Sequence, residues 1–274
     1  MKKELREVSI FFILVIFLSY FVFWGPIALF KVPTVNLLED EMGPIWAVIL
    51  FIIGGFIPSI VGLILTGVYE GKKGVRQLFR RSLRIDNGIK WIFSIIIIGI
   101  YFAVSLILIY TLIGGKFEYN QFLIQLPGII PLIILGPLSE EFGWRGFAVK
   151  RLLKSTNANF TSLIIGVIWA MWHLPLFYMV GTFQYSYNLP FIAFLISVTG
   201  SSFVYTYLFI RTKHSLLSAI FLHWIYTYII QVVSSSVVRS ELFNWLELVP
   251  GLLIGLVFAF VLYKDKDKFQ AIDL

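Results

Sequence analysis

The chain has 274 residues, of which 59% are apolar and only 14% charged, with a net charge of +7 and no cysteine. Its mean hydropathy is +0.89, and a soluble domain would carry about 25% charged residues. This composition excludes an ordinary soluble domain, and the missing cysteine excludes disulfides, thiolate nucleophiles and cysteine–metal sites. Several apolar runs exceed the ~18–20 residues needed to cross a bilayer, which predicts an all-α, polytopic membrane protein.

The first predicted span begins at about residue 8, after a short basic N-terminus. Its apolar run is longer than the roughly 7–15 residues of a signal-peptide core, and no small-residue cleavage site follows, so we expect a retained transmembrane helix. Hydropathy predicts about eight spans in a single membrane domain over residues 1–274. These spans are 8–30, 43–68, 91–114, 122–142 or beyond, 158–180, 189–210, 214–234 and 245–263.

Lysine and arginine fall mainly in alternate loops between the predicted spans. With the N-terminus inside, 19 of the 22 basic residues lie on the cytoplasmic side, which leaves Lys31, Lys116 and Arg239 outside. Cytoplasmic loops carry such an excess, so both termini are predicted to be cytoplasmic. Residues 71–88, the longest cytoplasmic connection, are interpreted as a helix on the headgroups or as a solvated basic loop. The positive charge is assigned to topology and anionic lipid, and no nucleic-acid partner is expected.

The fourth span ends in GPLSEEFGWRGFAVKRLLK, whose ionisable residues are costly inside a bilayer. Gly136-Pro137 is expected to kink or locally unwind the helix. Glu141 and Arg145 have i, i+4 spacing with the acid first, the favourable order for a helical ion pair, whereas Glu140 projects about 100° away. The pattern predicts one carboxylate neutralised by arginine and a second one left free. The alternative is an ordinary charged helix end at the interface.

Histidines lie within the fifth and seventh spans. His173 sits in VIWAMWHLPLF, and His223 in HSLLSAIFLHWIYTY has Thr227 four residues later on the same helical face. A lone intramembrane histidine is often only a helix–helix contact. Carboxylates and imidazoles that converge from several helices, however, can activate water and stabilise an oxyanion. His214, beside Lys213, is interpreted as a solvated boundary residue and excluded, so the predicted site lies between helices 4, 5 and 7.

Other intramembrane protease chemistries fit these residues poorly. All five aspartates lie outside the predicted spans, which argues against an aspartyl protease. The chain has no His-Glu-x-x-His zinc motif. Gly136-Pro-Leu-Ser139 is followed by Glu140, which makes it a weak match to the Gly-x-Ser-Gly of a rhomboid-like serine protease.

Taken in order, the motifs of the fourth, fifth and seventh spans resemble the CPBP or Abi family, which contains type II CAAX prenyl endopeptidases and bacteriocin-processing or self-immunity proteins. The family pattern is Glu-Glu-x-x-x-Arg, then Phe-x-x-x-His, then His-x-x-x-Asn or Asp, each on its own transmembrane helix. The first motif matches in full, the second has Trp169 in place of Phe, and the third ends in Thr227 in place of Asn. The resemblance covers roughly residues 122–230, which we interpret as a catalytic core.

The resemblance implies an intramembrane endopeptidase that acts on a membrane-embedded or lipid-anchored peptide or protein. Glu140 would activate water, and Glu141 and Arg145 would hold it in place. His173 would share in water activation or bind a metal. If a divalent metal such as zinc is used, its ligands would be Glu140, His173 and His223, although these residues suit a metal-free mechanism equally well.

By the same resemblance His223 and Thr227 would stabilise the oxyanion of the tetrahedral intermediate. Because threonine does not replace a carboxamide, a non-catalytic membrane immunity or regulatory partner of the same family stays open as an alternative. A small transporter with a proton-relay carboxylate is a further one. The expected location is a bacterial plasma membrane.

Overall fold

The structure is a computed structural model that describes residues 3–36, 41–84, 90–125, 127 and 133–265. Within these ranges six helices are long and apolar enough to cross a membrane, and the shorter Ala158–Trp172 is also apolar. A short antiparallel pair joins β1 (Val35–Asn36) to β2 (Glu41–Met42). The prediction of an all-α, polytopic membrane protein is confirmed.

Six of the eight predicted spans correspond to the six long apolar helices, while the fourth overlaps two helices and the fifth is a shorter one. The helices are numbered in chain order. They are α1 (Lys3–Leu29), α2 (Ile45–Ser82), α3 (Lys90–Leu112), α4 (Tyr119–Gln125), α5 (134–153), α6 (Ala158–Trp172), α7 (Phe183–Ser186), α8 (Phe191–Arg211), α9 (Leu216–Ser235), α10 (Glu241–Leu246) and α11 (Leu248–Lys264). The predicted fourth span also includes residues 126 and 128–132, which lie outside the described residues.

Helix α2 is longer than its predicted span because a second helical segment follows Gly71. The backbone of Gly71 has φ +66° and ψ −168°, a conformation that glycine adopts without steric cost. Residues 72–82 beyond it are helical, with Leu78 buried and Phe79 half-exposed. The interpretation of this stretch as a solvated loop is therefore wrong, and residues 85–88 of the predicted connection lie outside the described residues.

Helix α5 alternates between α- and π-helical turns. Its parts are π-helical Ile134–Leu138, α-helical Ser139–Gly143, π-helical Trp144–Val149 and α-helical Lys150–Leu153. Pro137 has no N–H with which to continue an α-helical ladder, and π-helical turns are frequent at functional sites. The predicted distortion at Gly136-Pro137 thus takes the form of a π-helical turn, and Glu140 follows directly after it.

Helices α2 and α5 approach each other closely enough to bring their backbones into contact. A Cβ atom added to Gly62 would lie 2.7 Å from Cα of Gly143, and one added to Gly143 would lie 2.2 Å from the carbonyl oxygen of Pro58. Only glycine permits this approach, because a larger residue would force the helices apart. The contact fixes the segment of α5 that carries the paired glutamates.

Most of the basic loops meet at one end of the bundle. Nε of Arg81 donates a hydrogen bond to the carbonyl of His214 at 2.9 Å, and the hydroxyl of Ser215 donates to the carbonyl of Arg84 at 2.7 Å. We call this end the basic face, and its segments are residues 72–84, 150–157 and 211–216.

The remaining loops meet at the other end of the bundle. The N–H of Glu118 donates to the carbonyl of Ser236 at 2.7 Å, and Nδ2 of Asn244 donates to the carbonyl of Tyr187 at 2.8 Å. We call this end the opposite face, and its segments are residues 30–36, 113–118, 173–190 and 236–247. Alternate loops thus assemble on separate faces, as the predicted topology requires.

Candidate active site

Glu140 lies on α5 directly after the π-helical turn and is only 5% exposed. Its Oε2 accepts a hydrogen bond of 2.6 Å from Nε1–H of Trp169 on α6. The carbonyl oxygen of Trp169 lies 2.8 Å from Nδ1 of His173, and this nitrogen donates because a carbonyl can only accept. A single tryptophan therefore positions both Glu140 and His173.

This role of Trp169 was not predicted from the sequence. The signal in the sequence is that tryptophan replaces the phenylalanine of the family motif. Unlike phenylalanine, tryptophan carries an N–H that can donate to a carboxylate. The family pattern specifies only an aromatic residue at this position, so it does not predict the N–H donor of Trp169.

Glu141 and Arg145 lie behind Glu140 and are both 0% exposed. Nη1 of Arg145 donates to Oε1 of Glu141 at 2.7 Å, so the predicted i, i+4 ion pair is confirmed. The same oxygen lies 2.8 Å from Nδ1 of His223 on α9, a contact that was not predicted. A methyl group added at Gly136 would lie 3.8 Å from Nε2 of His223, so glycine keeps that nitrogen accessible.

The guanidinium of Arg145 is held between aromatic rings. Its Cζ lies 4.5 Å from the ring centre of Trp169 and 4.1 Å from that of Tyr205, where the ring faces attract a cation. Nε and Nη2 of Arg145 have no hydrogen-bond partner among the described residues. Counting Arg145 among the cytoplasmic loop residues was wrong, because it lies in the interior of the bundle, and its removal leaves 18 basic residues in that group.

Two cavities adjoin the site within the described part of the chain. One, of about 330 Å³, is lined by Glu140, His173, His223 and Thr227 among other residues. The other, of about 210 Å³, is also lined by His173, His223 and Thr227, together with Trp169. The structure thus brings four of the predicted residues to a common cavity, and the Glu141–Arg145 pair lies behind its wall.

His173 is located at a helix end, and the expectation of a fifth span to residue 180 was wrong. Helix α6 ends at Trp172, and Leu174–Phe177 forms a 3₁₀ turn. The cause is Pro175, because a proline disfavours helical geometry at the residue before it. This ending turns His173 towards the cavity, where its ring also contacts Phe194 at a centroid distance of 5.2 Å.

His214 lies on the basic face, away from the site, as expected. Its description as a solvated residue was wrong, since it is partly buried with its ring 5.2 Å from that of Phe209. Burial, with a further contribution from the positive charges of Arg81 and Lys150, lowers the pKa of His214 to about 4. The residue is therefore uncharged at neutral pH.

The hydrogen bonds of the three predicted metal ligands determine which of their atoms a metal could bind. Nδ1 of His173 and Nδ1 of His223 are both engaged by protein oxygens, and Oε2 of Glu140 is engaged by Trp169. In the parts of the chain that the structure describes, no cluster of three or more His, Cys, Asp or Glu side chains has the spacing to hold a metal ion. Histidines that bind metals commonly donate the other ring N–H to a protein oxygen, so Nε2 of each histidine and the second oxygen of Glu140 are the atoms that a metal would bind, and the metal stays a prediction.

The sequence of the site region is similar to known prenyl proteases. Residues 121–229 match the family model of type II CAAX prenyl endopeptidase Rce1-like proteins. The chain is also 25% identical over 116 residues to CAAX prenyl protease 2 of Methanococcus maripaludis, a match that covers 41% of this chain and 42% of the relative. The chain therefore spans less than half the length of that relative. Both matches support a CPBP or Rce1-like family, and the resemblance predicted from the motifs is confirmed.

Proposed function

We propose that this chain is an intramembrane endopeptidase that hydrolyses a peptide bond in a membrane-embedded or lipid-anchored peptide or protein. One observation carries the proposal: the buried carboxylate of Glu140 faces the same cavity as the side chains of His173, His223 and Thr227. Trp169 occupies one oxygen of Glu140. The other oxygen is then available to accept a hydrogen bond from water, as a general base must.

In the proposed reaction Glu140 takes a proton from a water molecule as the water oxygen attacks the carbonyl carbon of the scissile bond. His173 holds the water through Nε2, because its Nδ1 is committed to the carbonyl of Trp169. The tetrahedral intermediate then collapses, the C–N bond breaks, and protonated Glu140 returns the proton to the leaving amine. Water and one peptide bond yield a carboxylic acid and an amine.

His223 and Thr227 are proposed to stabilise the oxyanion of that intermediate. Nδ1–H of His223 donates to Glu141, and a carboxylate on this nitrogen stabilises the imidazolium form, whose Nε2–H can donate to an oxyanion. The hydroxyl of Thr227 supplies a second donor from the next turn of α9. Arg145 orients Glu141 by its 2.7 Å contact.

The proposed setting is a bacterial plasma membrane with both termini in the cytoplasm. The distribution of basic residues between alternate loops supports this orientation. A divalent cation as cofactor is tested separately by chelation, and no step above depends on one.

The decisive experiment incubates purified protein in detergent with a library of membrane-anchored peptides and detects products by mass spectrometry. Glu140→Gln keeps the size of the side chain and removes its basicity, so the rate should fall about 10²–10⁴-fold while folding is retained. His173→Ala and His223→Ala should be comparably inactive. Glu4→Gln, a matched change on α1 distant from the site, should leave cleavage unchanged.

The third motif has its own test in the same assay. Thr227→Ala removes one neutral hydrogen bond, which contributes about 0.5–1.5 kcal/mol, so it should cost less than either histidine change. Thr227→Asn supplies the carboxamide of the family pattern and should raise the rate. If Glu140→Gln cleaves as well as the parent, or if a cellular phenotype persists when neither protein cuts any peptide, the protein is a binding partner and not a protease.

A further inference from the structure

The cavities of the site occupy one half of the bundle. Their lining on α8 lies at its start, in residues 191–198, and on α9 it runs from His223, near the middle, to Gln231. On α2 the lining residues are near the beginning, from Phe51 to Phe56. Because neighbouring helices run in opposite directions, all these stretches are at the end of the bundle that carries the opposite face.

The half of the bundle next to the basic face is filled mainly by packed side chains. Leu78, Phe142, Leu216 and Ile220 form a buried hydrophobic cluster there. The backbone contact between α2 and α5 and the fully buried Glu141–Arg145 pair lie in the same half. Residues 72–84, 150–157 and 211–216 line neither of the two cavities of the site. A separate cavity of about 10 Å³ lies at the basic face, lined in part by Leu78 and Lys150, and shares no lining residue with them. The two site cavities therefore approach Glu140 from the opposite face.

The rim of the cavities is made by the opposite face. Gln184 of α7 and Gln231 of α9 line both cavities, and Asn244 and Glu247 line the smaller one. These polar side chains surround walls that are otherwise aromatic and aliphatic. A polar rim over an apolar interior suits an extended polypeptide, whose backbone amides can bond at the rim while apolar side chains enter the walls.

The two ends of the bundle also differ in charge. The basic face and the termini hold 17 of the 22 basic residues, Lys90 begins α3, and the loops of the opposite face hold Lys31, Lys116 and Arg239. Such a bias directs the basic face to the cytoplasm. We propose that the cavity opens on the extracytoplasmic side, so that the substrate is a segment of a secreted or membrane-anchored polypeptide presented on that side. This inference rests on the proposed peptidase function.

Single cysteines can test the opening directly, because the chain has no cysteine of its own. Lys116→Cys and Lys73→Cys mark the opposite and basic faces, and both positions are exposed. Gln231→Cys reports on the interior of the cavities. A membrane-impermeant thiol reagent applied to intact cells should label Lys116→Cys and Gln231→Cys, and should reach Lys73→Cys only after permeabilisation. Labelling of Lys73→Cys in intact cells, or failure of Gln231→Cys to react there, overturns the proposal.

Substrate presentation supplies the second test. One cleavable sequence is placed beside a single-span carrier in two versions, whose flanking lysines are exchanged so that the sequence faces either side of the membrane. Cleavage that is lost in Glu140→Gln should occur for the extracytoplasmic version alone. Glu140-dependent cleavage of only the cytoplasmic version overturns this proposal and leaves the peptidase function intact. If neither version is cut in a Glu140-dependent way, the peptidase function itself fails, and the labelling experiment alone decides the direction of the cavity.

Discussion

Arg145 and Arg151 are buried arginines on the same helix, α5, and both pair with glutamate. Arg151 is fully engaged: Nε donates to Glu7 at 2.7 Å, Nη2 donates to Glu70 at 2.6 Å, and Nη1 donates to a backbone carbonyl. Arg145 makes one such bond and otherwise rests between aromatic rings. Thus Arg151 ties α1, α2 and α5 together, whereas Arg145 supports a carboxylate that also contacts His223 behind a cavity.

The comparison shows that a buried ion pair alone does not identify an active site. Both clusters offset the cost of burying charge by pairing, and the sequence offers each an acid and a base. What distinguishes the Arg145 cluster is the cavity beside it and the ionisable groups that face this cavity. The following predictions separate the two clusters by asking which loses activity and which loses only stability.

The largest effect is expected for Arg145→Ala. It leaves Glu141 buried with its hydrogen bond to His223 but without its arginine, and breaking a buried pair costs about 3–5 kcal/mol of unfolding free energy. We expect low abundance and poor assembly. In the double variant Arg145→Met, Glu141→Gln the buried charges are both removed, so abundance should recover while cleavage stays impaired. The measurements are the unfolding midpoint in mild detergent and the rate per folded molecule. A well-expressed, fully active Arg145→Ala protein would contradict the buried pair.

Arg151→Met should reduce stability and leave the chemistry intact. Glu70 is about one-third exposed and can regain water, so the loss should lie near the lower end of the range for a buried pair, about 3 kcal/mol. The double variant Arg151→Met, Glu7→Gln should recover part of the stability that Arg151→Met loses. The rate per folded molecule should match that of the parent. A large fall in that rate would show that the Arg151 cluster supports activity as well as stability, which contradicts the proposed difference between the two clusters.

Trp169→Phe tests the link between Glu140 and α6. The change keeps the aromatic surface beside Arg145 and removes the N–H that bonds to Glu140. Hydrogen bonds to charged groups contribute about 1.5–3 kcal/mol, so the rate should fall by about tenfold to a hundredfold with little change in KM or in unfolding midpoint. An unchanged rate would show that Trp169 only fills space. A fall caused by unfolding would instead lower the midpoint.

His214→Asn should have the smallest effect at neutral pH. His214 has φ +61°, a left-handed conformation that asparagine tolerates. Its folded-state pKa of about 4 lies below the ordinary value of 6.5, so the unfolded chain binds the proton more strongly. Stability contributed by the neutral ring is therefore present above pH 6.5 and lost as the pH falls towards 4. Unfolding midpoints measured across this range should decline less in His214→Asn than in the parent.

The sequence predicted those features that depend on a single helix. Six of the apolar runs are long enough to identify a span without reference to their neighbours, and the spacing of Glu141 and Arg145 places both on one helical face. Contacts between helices were not accessible in this way. The bonds from Trp169 to Glu140 and from His223 to Glu141 depend on how α5, α6 and α9 pack.

The burial of Arg151 could not be predicted from the sequence either, because it depends on residues of other helices. Its position near the end of α5 at the basic face is typical of a loop cation, and the sequence prediction placed it in a loop, yet Glu7 and Glu70 on other helices pair with it and bury it. Nothing in the local spacing of Arg151 indicates these partners, because they are separated from it by 144 and 81 positions.

The π-helical turn Trp144–Val149 has a consequence for how this chain and its relatives can diverge. A π-helical turn accommodates about one more residue than an α-helical turn, so the loss of a single codon in this stretch would leave an unbroken α-helix. Five α-helical residues turn through about the same angle as the six residues of this wider π-helical stretch, so Arg151 would keep its direction towards its acidic partners. Relatives with a one-residue gap between positions 144 and 149 should therefore retain the carboxylates corresponding to Glu7 and Glu70, a pattern that a multiple alignment can reveal.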